Sequence, residues 1–347
     1  MTVRNPAADS PEDLRDELEG RLDDPALRPA RLGDFIGQER IRAKLDVAIQ
    51  AARQRGEALD HVLLSGPPGL GKTTLASIIA AERGSSFHST SAPAITRPAD
   101  LARLLTLLED RDILFIDEIH RLGRSCEEIL YPAMEDGHID FIIGEGPTAQ
   151  SVQLSLKPFT LIGATTRSGM LSAPLKSRFG MEFKLEFYDT DSLSRIVART
   201  AGLLGLNFDH HATRATAARS RMTPRVANRL VKRIRDYVTV EGRTHVDEDF
   251  VHECLSRLGV DTLGLVELDR RLLRLMIERY KGGPVGLRTL SALVDEEERT
   301  LEEDHEPFML RMGLMEKTAQ GRMATQKAYE HLGLPYAGTR DENPQLF

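Results

Sequence analysis

The stretch HVLLSGPPGLGKTTLA, residues 61–76, constrains what this chain can fold into more than any other. A strand-like run, His61 to Ser65, feeds a glycine-rich loop, then Lys72-Thr73-Thr74 and an apolar helix. The loop fits Gly-x-x-x-x-Gly-Lys-Thr, with Gly66, Gly71, Lys72 and Thr73 in the required places. Residues without bulky side chains, Gly69 among them, let backbone N–H groups close on phosphate oxygens. The helix that follows points its positive dipole end at them. Lys72 then neutralises the β/γ-phosphates, the Thr73 hydroxyl ligates Mg²⁺, and Thr74 lies beside it in the same turn. Strand, loop, lysine and helix together predict a nucleotide site in an α/β P-loop core.

A second signature is Ile113-Leu114-Phe115-Ile116-Asp117-Glu118, an apolar strand ending in two acids. It puts Asp117 where it can hold the Mg²⁺ shell through water, and Glu118 where it can orient and polarise an attacking water. His120 reads as a local structural or coupling residue rather than an acid or base. The run Leu161-Ile162-Gly163-Ala164 ends in Thr165-Thr166-Arg167. Thr165 at that tip is the expected γ-phosphate sensor, although a strand leaving the core with hydroxyls for its turn has the same sequence. Ser172 to Gly180 reads as a short helix closed by glycine that presents Arg178 at an edge. A surface arginine paired with an acid is the plainer reading; beside the other motifs Arg178 looks like a finger acting on the neighbouring subunit's nucleotide. Arg225, in TPRVANR, is expected to reach the γ-phosphate from the far side, with a solvated helix-face arginine as the alternative.

Around these motifs, candidate strands at 61–65, 87–91, Ile113–Asp117, Thr160–Thr165 and Phe183–Phe187 alternate with helical periodicity. That is the pattern of a parallel sheet with helices on both faces. The predicted domains are a flexible acidic leader (1–26), a large ATPase domain (27–190), a small helical lid (191–261) and a winged-helix domain (262–347). Asp189-Thr190-Asp191 and Thr223-Pro224 supply helix starts in the lid. Leu265, Leu268, Leu272, Leu275 and Met276 form the apolar face of a later helix, and Leu314–Thr325 forms a hairpin. The net charge of −7 argues against binding nucleic acid through a whole-molecule field, so any DNA contact is local. Two distant cysteines, Cys126 and Cys254, read as packing residues. No membrane-spanning run and no signal-like N-terminus occur, which points to the cytoplasm.

Together with the nucleotide motifs, YPAMEDG, IGEGPTAQS, FTLIGATTR, SRFG, TPRVANRL, GGPVGL and GRMAT resemble the RuvB family of AAA+ motors, which drive branch migration of Holliday junctions. The likeness covers residues 27–335. It implies a homohexameric ring around duplex DNA, hydrolysing ATP with Mg²⁺ and with Arg178 acting in trans. It also implies the partner RuvA, and RuvC through the junction complex. Leu27 and Arg28 match the family's adenine-side positions, with Tyr188 completing that pocket, and Glu135, Asp136 and Gly137 match its nucleotide-contacting positions. Phe141, Ile142 and Ile143 match a protruding hairpin that docks RuvA, where an ordinary buried hairpin is the alternative. By similarity Lys317 and Arg322 of the wing contact the DNA backbone, helped by Arg299; a solvated basic hairpin is the plainer reading. The acids Asp295 to Glu298 and Glu302 to Asp304 would repel phosphate from the preceding helix. Backbone contacts carry little sequence information, which suits a motor that travels over any sequence. Departures are Lys317 and Gln320, where many relatives offer arginine, and the wording ITRPADL.

Two other function classes share parts of this sequence pattern. A protein unfoldase would present an aromatic-hydrophobic-glycine pore loop between the nucleotide motifs, and the aromatics there, Phe87 and Phe115, are strand-like. A clamp-loader-type switch shares the sensor and finger residues; a C-terminal winged helix with a basic tip favours direct contact with duplex DNA.

Overall fold

The computed structural model describes residues 25–143 and 150–336, so nearly all of the 1–26 leader lies outside the described residues. After α1 (Glu39–Arg55) come β1 (Val62–Ser65), α2 (Lys72–Arg83), β2 (Phe87–Ser91), α3 (Pro98–Thr106), β3 (Ile113–Asp117) and α4 (Arg124–Glu135). A hairpin of β4 (His138–Ile143) and β5 (Gln150–Ser155) precedes β6 (Thr160–Thr165), the one-turn α5 (Ala173–Lys176) and β7 (Met181–Lys184).

The five main strands form one parallel sheet in the order β2-β3-β6-β1-β7. β1, β3 and β6 are buried almost end to end, as expected for continuous apolar runs covered on both faces. Because β6 lies between β1 and β3, the turns after all three strands emerge side by side at one edge. That edge is where open α/β sheets bind ligands. Four strands fall within a residue of expectation. The fifth is Met181–Lys184 rather than Phe183–Phe187, for a simple reason: it pairs with β1 from Val62 to Ser65, where β1 leaves the sheet for the phosphate loop. A strand loses its ladder where its partner turns away.

The helical stretch is α6 (Thr190–Leu203), α7 (His210–Ala218), α8 (Pro224–Glu241) and α9 (Glu248–Arg257). Asp189 caps α6 by accepting the Ser192 amide at 2.6 Å, and Thr223 accepts the Val226 amide at 3.4 Å before Pro224 opens α8. Then follow α10 (Glu267–Tyr280), α11 (Leu287–Val294), α12 (Glu298–Thr300), a π-helical turn (Leu301–His305), α13 (Glu306–Arg311), β8 (Met315–Thr318), β9 (Gly321–Ala324) and α14 (Gln326–Leu332). β8 and β9 are antiparallel, and Val285 pairs with Arg322 as a short third strand, which completes a winged helix. Its core includes Leu272, Met276, Leu290, Leu301, Phe308, Met309 and Leu314.

The apolar face expected on α10 is turned relative to the sequence pattern. Leu265 lies before the helix, Leu268 and Leu275 are only half-buried, and the inner face is Asp269, Leu272, Leu273, Met276 and Ile277. Asp269 takes a core position because Arg221 and His305 are there to pair with it. Contacts divide the chain into two compact units, Met1–Gly205 with Thr223–Val231, and Leu206–Met222 with Lys232–Phe347. The lid expected at 191–261 is thus shared between them. Cys126 and Cys254 are free and buried. Among the described residues no helix is long and apolar enough to cross a membrane.

Candidate active site

The first unit carries a pocket of about 170 Å³ at the sheet edge, lined by Leu27, Arg28, Pro68, Gly69, Gly71, Lys72, Thr73, Thr74, Asp117, Glu118, Pro224, Arg225 and Asn228. Ten of the candidate site residues, from Leu27 to Arg225, therefore meet here. Glycine is required at two turns of the loop. Gly66 has φ 140°, and a Cβ there would lie 2.6 Å from the Leu185 carbonyl oxygen; Gly71 has φ 97° and starts α2. Lys72 is buried and folds back on its own loop, donating to the carbonyls of Gly66 at 2.8 Å and Pro67 at 3.0 Å. Burial lowers its pKa, the carboxylates of Glu118 and Asp117 oppose that shift, and Arg225 adds to it.

Two acids follow β3. Asp117 accepts the Glu118 amide at 2.9 Å, and burial, reinforced by the Glu118 charge, raises its pKa. A nearby divalent cation would offset both effects. Glu118 itself sits in the left-handed region at φ 50°, which turns its side chain back over the sheet edge. There its Oε2 accepts from the Thr166 hydroxyl at 3.1 Å and lies 3.1 Å from His120 Nδ1.

The two threonines at the tip of β6 are placed differently. Thr165 is fully buried, its Oγ1 bonds His120 Nδ1 at 2.9 Å and accepts the Arg167 amide at 3.0 Å, and it does not line the pocket. Successive residues at a strand end point to opposite faces. It is Thr166, passed over in the sequence, whose hydroxyl reaches the acid. The doublet Thr165-Thr166 left the choice open, and only the register of β6 decides it. His120 bridges Glu118 and Thr165.

Arg225 lines the pocket, and its amide donates to the Gly69 carbonyl at 3.3 Å. Tyr188 does not form the pocket wall. It packs on Gly37 and donates to the Leu70 carbonyl at 3.3 Å, supporting the loop from beneath, and burial raises its pKa. Leu27 is held by Arg199, which donates to its carbonyl at 2.6 Å.

Arg178 does not line its own pocket, and neither do Glu135, Asp136 and Gly137. Arg178 donates to Glu135 at 2.9 Å and to the Pro174 carbonyl at 2.6 Å, and stacks 4.5 Å over Tyr131. Its Nε is buried with no hydrogen-bond partner. The plainer reading, an arginine paired with an acid, thus describes the single chain. Phe141, Ile142 and Ile143 lie on β4 opposite Val152, Ser151 and Gln150. The side chains of these three, and residues 144–149, lie outside the described residues. On β5, the apolar Val152 and Leu154 are each 42% exposed, and no motif in the sequence marks them.

In the second unit, all three expected DNA contacts are paired with acids. Lys317 bonds Glu302 at 3.1 Å, Arg299 bonds Glu303 at 3.0 Å, and Arg322 grips both oxygens of Glu306 at 2.5 and 3.1 Å. Lys317 and Arg299 remain about half exposed, but Arg322 and Glu306 are buried. In this chain Arg322 thus forms a buried ion pair with Glu306 rather than an open base on the wing. Of the acids expected to repel phosphate, Glu302 instead reaches Lys317 of the wing, and Glu303 holds Arg299 on its own helical segment.

Three family models match consecutive segments: the Holliday junction DNA helicase RuvB P-loop domain over residues 27–185, the RuvB AAA lid domain over 188–261, and the RuvB C-terminal winged helix domain over 262–333. A Holliday junction branch migration complex subunit RuvB from Dehalococcoides mccartyi is 54% identical over 324 residues, 93% of each chain. Its counterpart from Kosmotoga olearia is 52% identical over 94% of each. The solved Thermotoga maritima RuvB Holliday junction branch migration motor superposes with a TM-score of 0.83 at 48% identity, covering 89% of this chain and 99% of that one. With the phosphate loop, the paired acids and the winged helix all in their places, this chain belongs to the RuvB family.

Proposed function

We propose that this chain is an ATP-driven motor that moves Holliday junction branch points, working with RuvA as a homohexameric ring around duplex DNA. The observation that carries this reading is the convergence of Lys72, Thr73, Asp117, Glu118 and Arg225 on one pocket in a chain that also bears a winged helix. Bound nucleotide draws the Lys72 ammonium off the Gly66 and Pro67 carbonyls onto its phosphates. Thr73 and Asp117 offer the hydroxyl and carboxylate oxygens that suit a hard cation such as Mg²⁺. Mg²⁺ held there would supply charge neutralisation on the phosphates. Glu118 orients the attacking water and takes its proton, and Thr166 and His120 fix the carboxylate's direction.

Arg178, displaced from its own pocket, serves the site of the next subunit, with Glu135, Asp136 and Gly137 on the same edge. Lys317 and Arg299 exchange their carboxylates for backbone phosphates, which carries no sequence preference. Exposed Val152 and Leu154, on the hairpin with Phe141–Ile143, support docking of RuvA there. RuvC is met through the junction, and the whole works in the cytoplasm.

The experiment follows a labelled four-way junction with ATP and Mg²⁺, with and without RuvA, against Glu118→Gln. Resolution into duplexes only with hydrolysis, and faster with RuvA, is expected. Hydrolysis with a stationary junction would overturn the motor reading in favour of a switch.

A further inference from the structure

Just before α8 the backbone takes an uncommon path. Arg221 and Met222 have φ of 50° and 58°, two successive residues with side chains in the left-handed region. For residues with a Cβ this conformation is sterically costly, and it persists only where its surroundings over-determine it. Here they do so at both ends of a very short segment.

The N-terminal end is fixed in the second unit. Arg221 donates to Asp269 Oδ2 at 3.1 Å and to the Asp304 carbonyl at 2.9 Å, and its guanidinium lies 5.0 Å over the Phe308 ring. Asp269 is fully buried; Oδ2 also accepts the Val266 amide at 2.9 Å, and Oδ1 bonds His305 Nδ1 at 2.7 Å. Residue 221 is thereby tied to α10, the π-helical turn and α13, the body of the winged helix. The C-terminal end is fixed in the first unit. The Arg225 amide bonds the Gly69 carbonyl of the phosphate loop, and a Cβ on Gly69 would stand 3.0 Å from the Arg225 Cβ. Between these anchors lie only Met222, Thr223 and Pro224. Pro224 has a locked φ and Met222 is held left-handed, so the intervening chain has little slack.

We propose that residues 221–225 transmit motion between the phosphate loop and the winged helix, with Arg221 as the positioning residue that couples ATP turnover to DNA movement. The proposal rests on the motor reading above. A shift of Gly69 or Arg225 during turnover pulls on a short, stiff segment, and the Arg221–Asp269 pair delivers that pull to the winged helix. Loss of the anchor leaves the pocket's own chemistry in place and makes its turnover unproductive.

The test uses the full chain with RuvA and a four-way junction, measuring ATP hydrolysis and branch movement together. The variants are Arg221→Met, Asp269→Asn, Arg221→Lys and a two-glycine insertion between Met222 and Thr223. Junction affinity, measured for each, reports whether the winged helix remains folded. The expected result is hydrolysis within about twofold of the parent while movement per ATP falls about tenfold, with partial rescue in Arg221→Lys. If Arg221→Met loses junction binding through misfolding, the insertion decides, because it leaves both anchors intact. An insertion variant with the parent's movement per ATP, or one in which hydrolysis and movement fall in step, overturns the proposal. Failure of the parent chain itself to move the junction would instead count against the motor reading.

Discussion

Arg322→Ala is expected to unfold the wing rather than to loosen a grip on DNA. The Arg322 and Glu306 side chains are 11% and 4% exposed and share two hydrogen bonds at 2.5 and 3.1 Å. An exposed pair is worth about 0–1 kcal/mol, whereas removing one partner of a buried pair costs about 3–5 kcal/mol, because the survivor stays charged and buried. Lys317 Nζ, 4.0 Å from Glu306, offers partial compensation, which places the cost near the lower end, about 3 kcal/mol. The chain has no tryptophan to report on the wing, so native-state hydrogen exchange is the better assay. The amides to follow are those of Arg322 and Ala324, bonded to the Val285 and Gly282 carbonyls. About 3 kcal/mol corresponds to exchange faster by roughly a hundredfold. The double variant Glu306→Gln with Arg322→Met should recover most of that protection. Acceleration by less than about fivefold would show that the pair behaves as an exposed one and would refute the reasoning. Conditions that keep the wing folded provide a second arm. There Lys317→Ala should flatten the salt dependence of DNA binding by about one unit, and Arg322→Met should leave the slope unchanged.

Thr166→Val should lower kcat for ATP by about tenfold with KM nearly unchanged, since it frees the Glu118 carboxylate, whereas Thr165→Val should act mainly on thermal stability; the reverse pattern in steady-state kinetics and melting would restore Thr165 as the sensor. Arg178→Ala should reduce turnover by about 10³ while ATP binding, read by calorimetry, holds, and mixing it with Glu118→Gln subunits should restore activity, because each supplies what the other lacks. No recovery on mixing would place the arginine in cis. For the buried acid of α10, burial alone would raise the pKa, but the His305 hydrogen bond and the Arg221 charge outweigh it and hold Asp269 below its ordinary 3.8. The contribution of this group to stability is therefore complete above 3.8 and is lost as pH falls through the lower folded value, so Asp269→Asn should flatten acid unfolding of the winged helix in that range.

Much of this architecture is legible along the chain because its signals are local. The phosphate loop declares itself through glycine spacing, Asp189 and Thr223 cap helices where a hydroxyl or carboxylate precedes the first turn, and the β8–β9 hairpin follows from its turn residues. What escapes is set by pairing across the fold. The side chain of Thr165 or Thr166 faces the acid according to strand register, and nothing in two adjacent threonines breaks that symmetry. Arg322 looks like a solvated base on a hairpin until Glu306, sixteen residues earlier, is seen beneath it. Asp269 breaks an otherwise apolar helical face for the same reason: its partners Arg221 and His305 lie far off in sequence.

On the DNA contacts proposed above, the carboxylates that hold Lys317 and Arg299 are rivals of the phosphate backbone for the same two cations. A head that always has an internal anion waiting pays little to release its track, and detachment is then as ready as attachment. In the ring proposed above, staying power would accordingly belong to the closed circle of subunits rather than to any one of them. Added salt should shorten the dwell of a single head on DNA well before it unthreads the assembly.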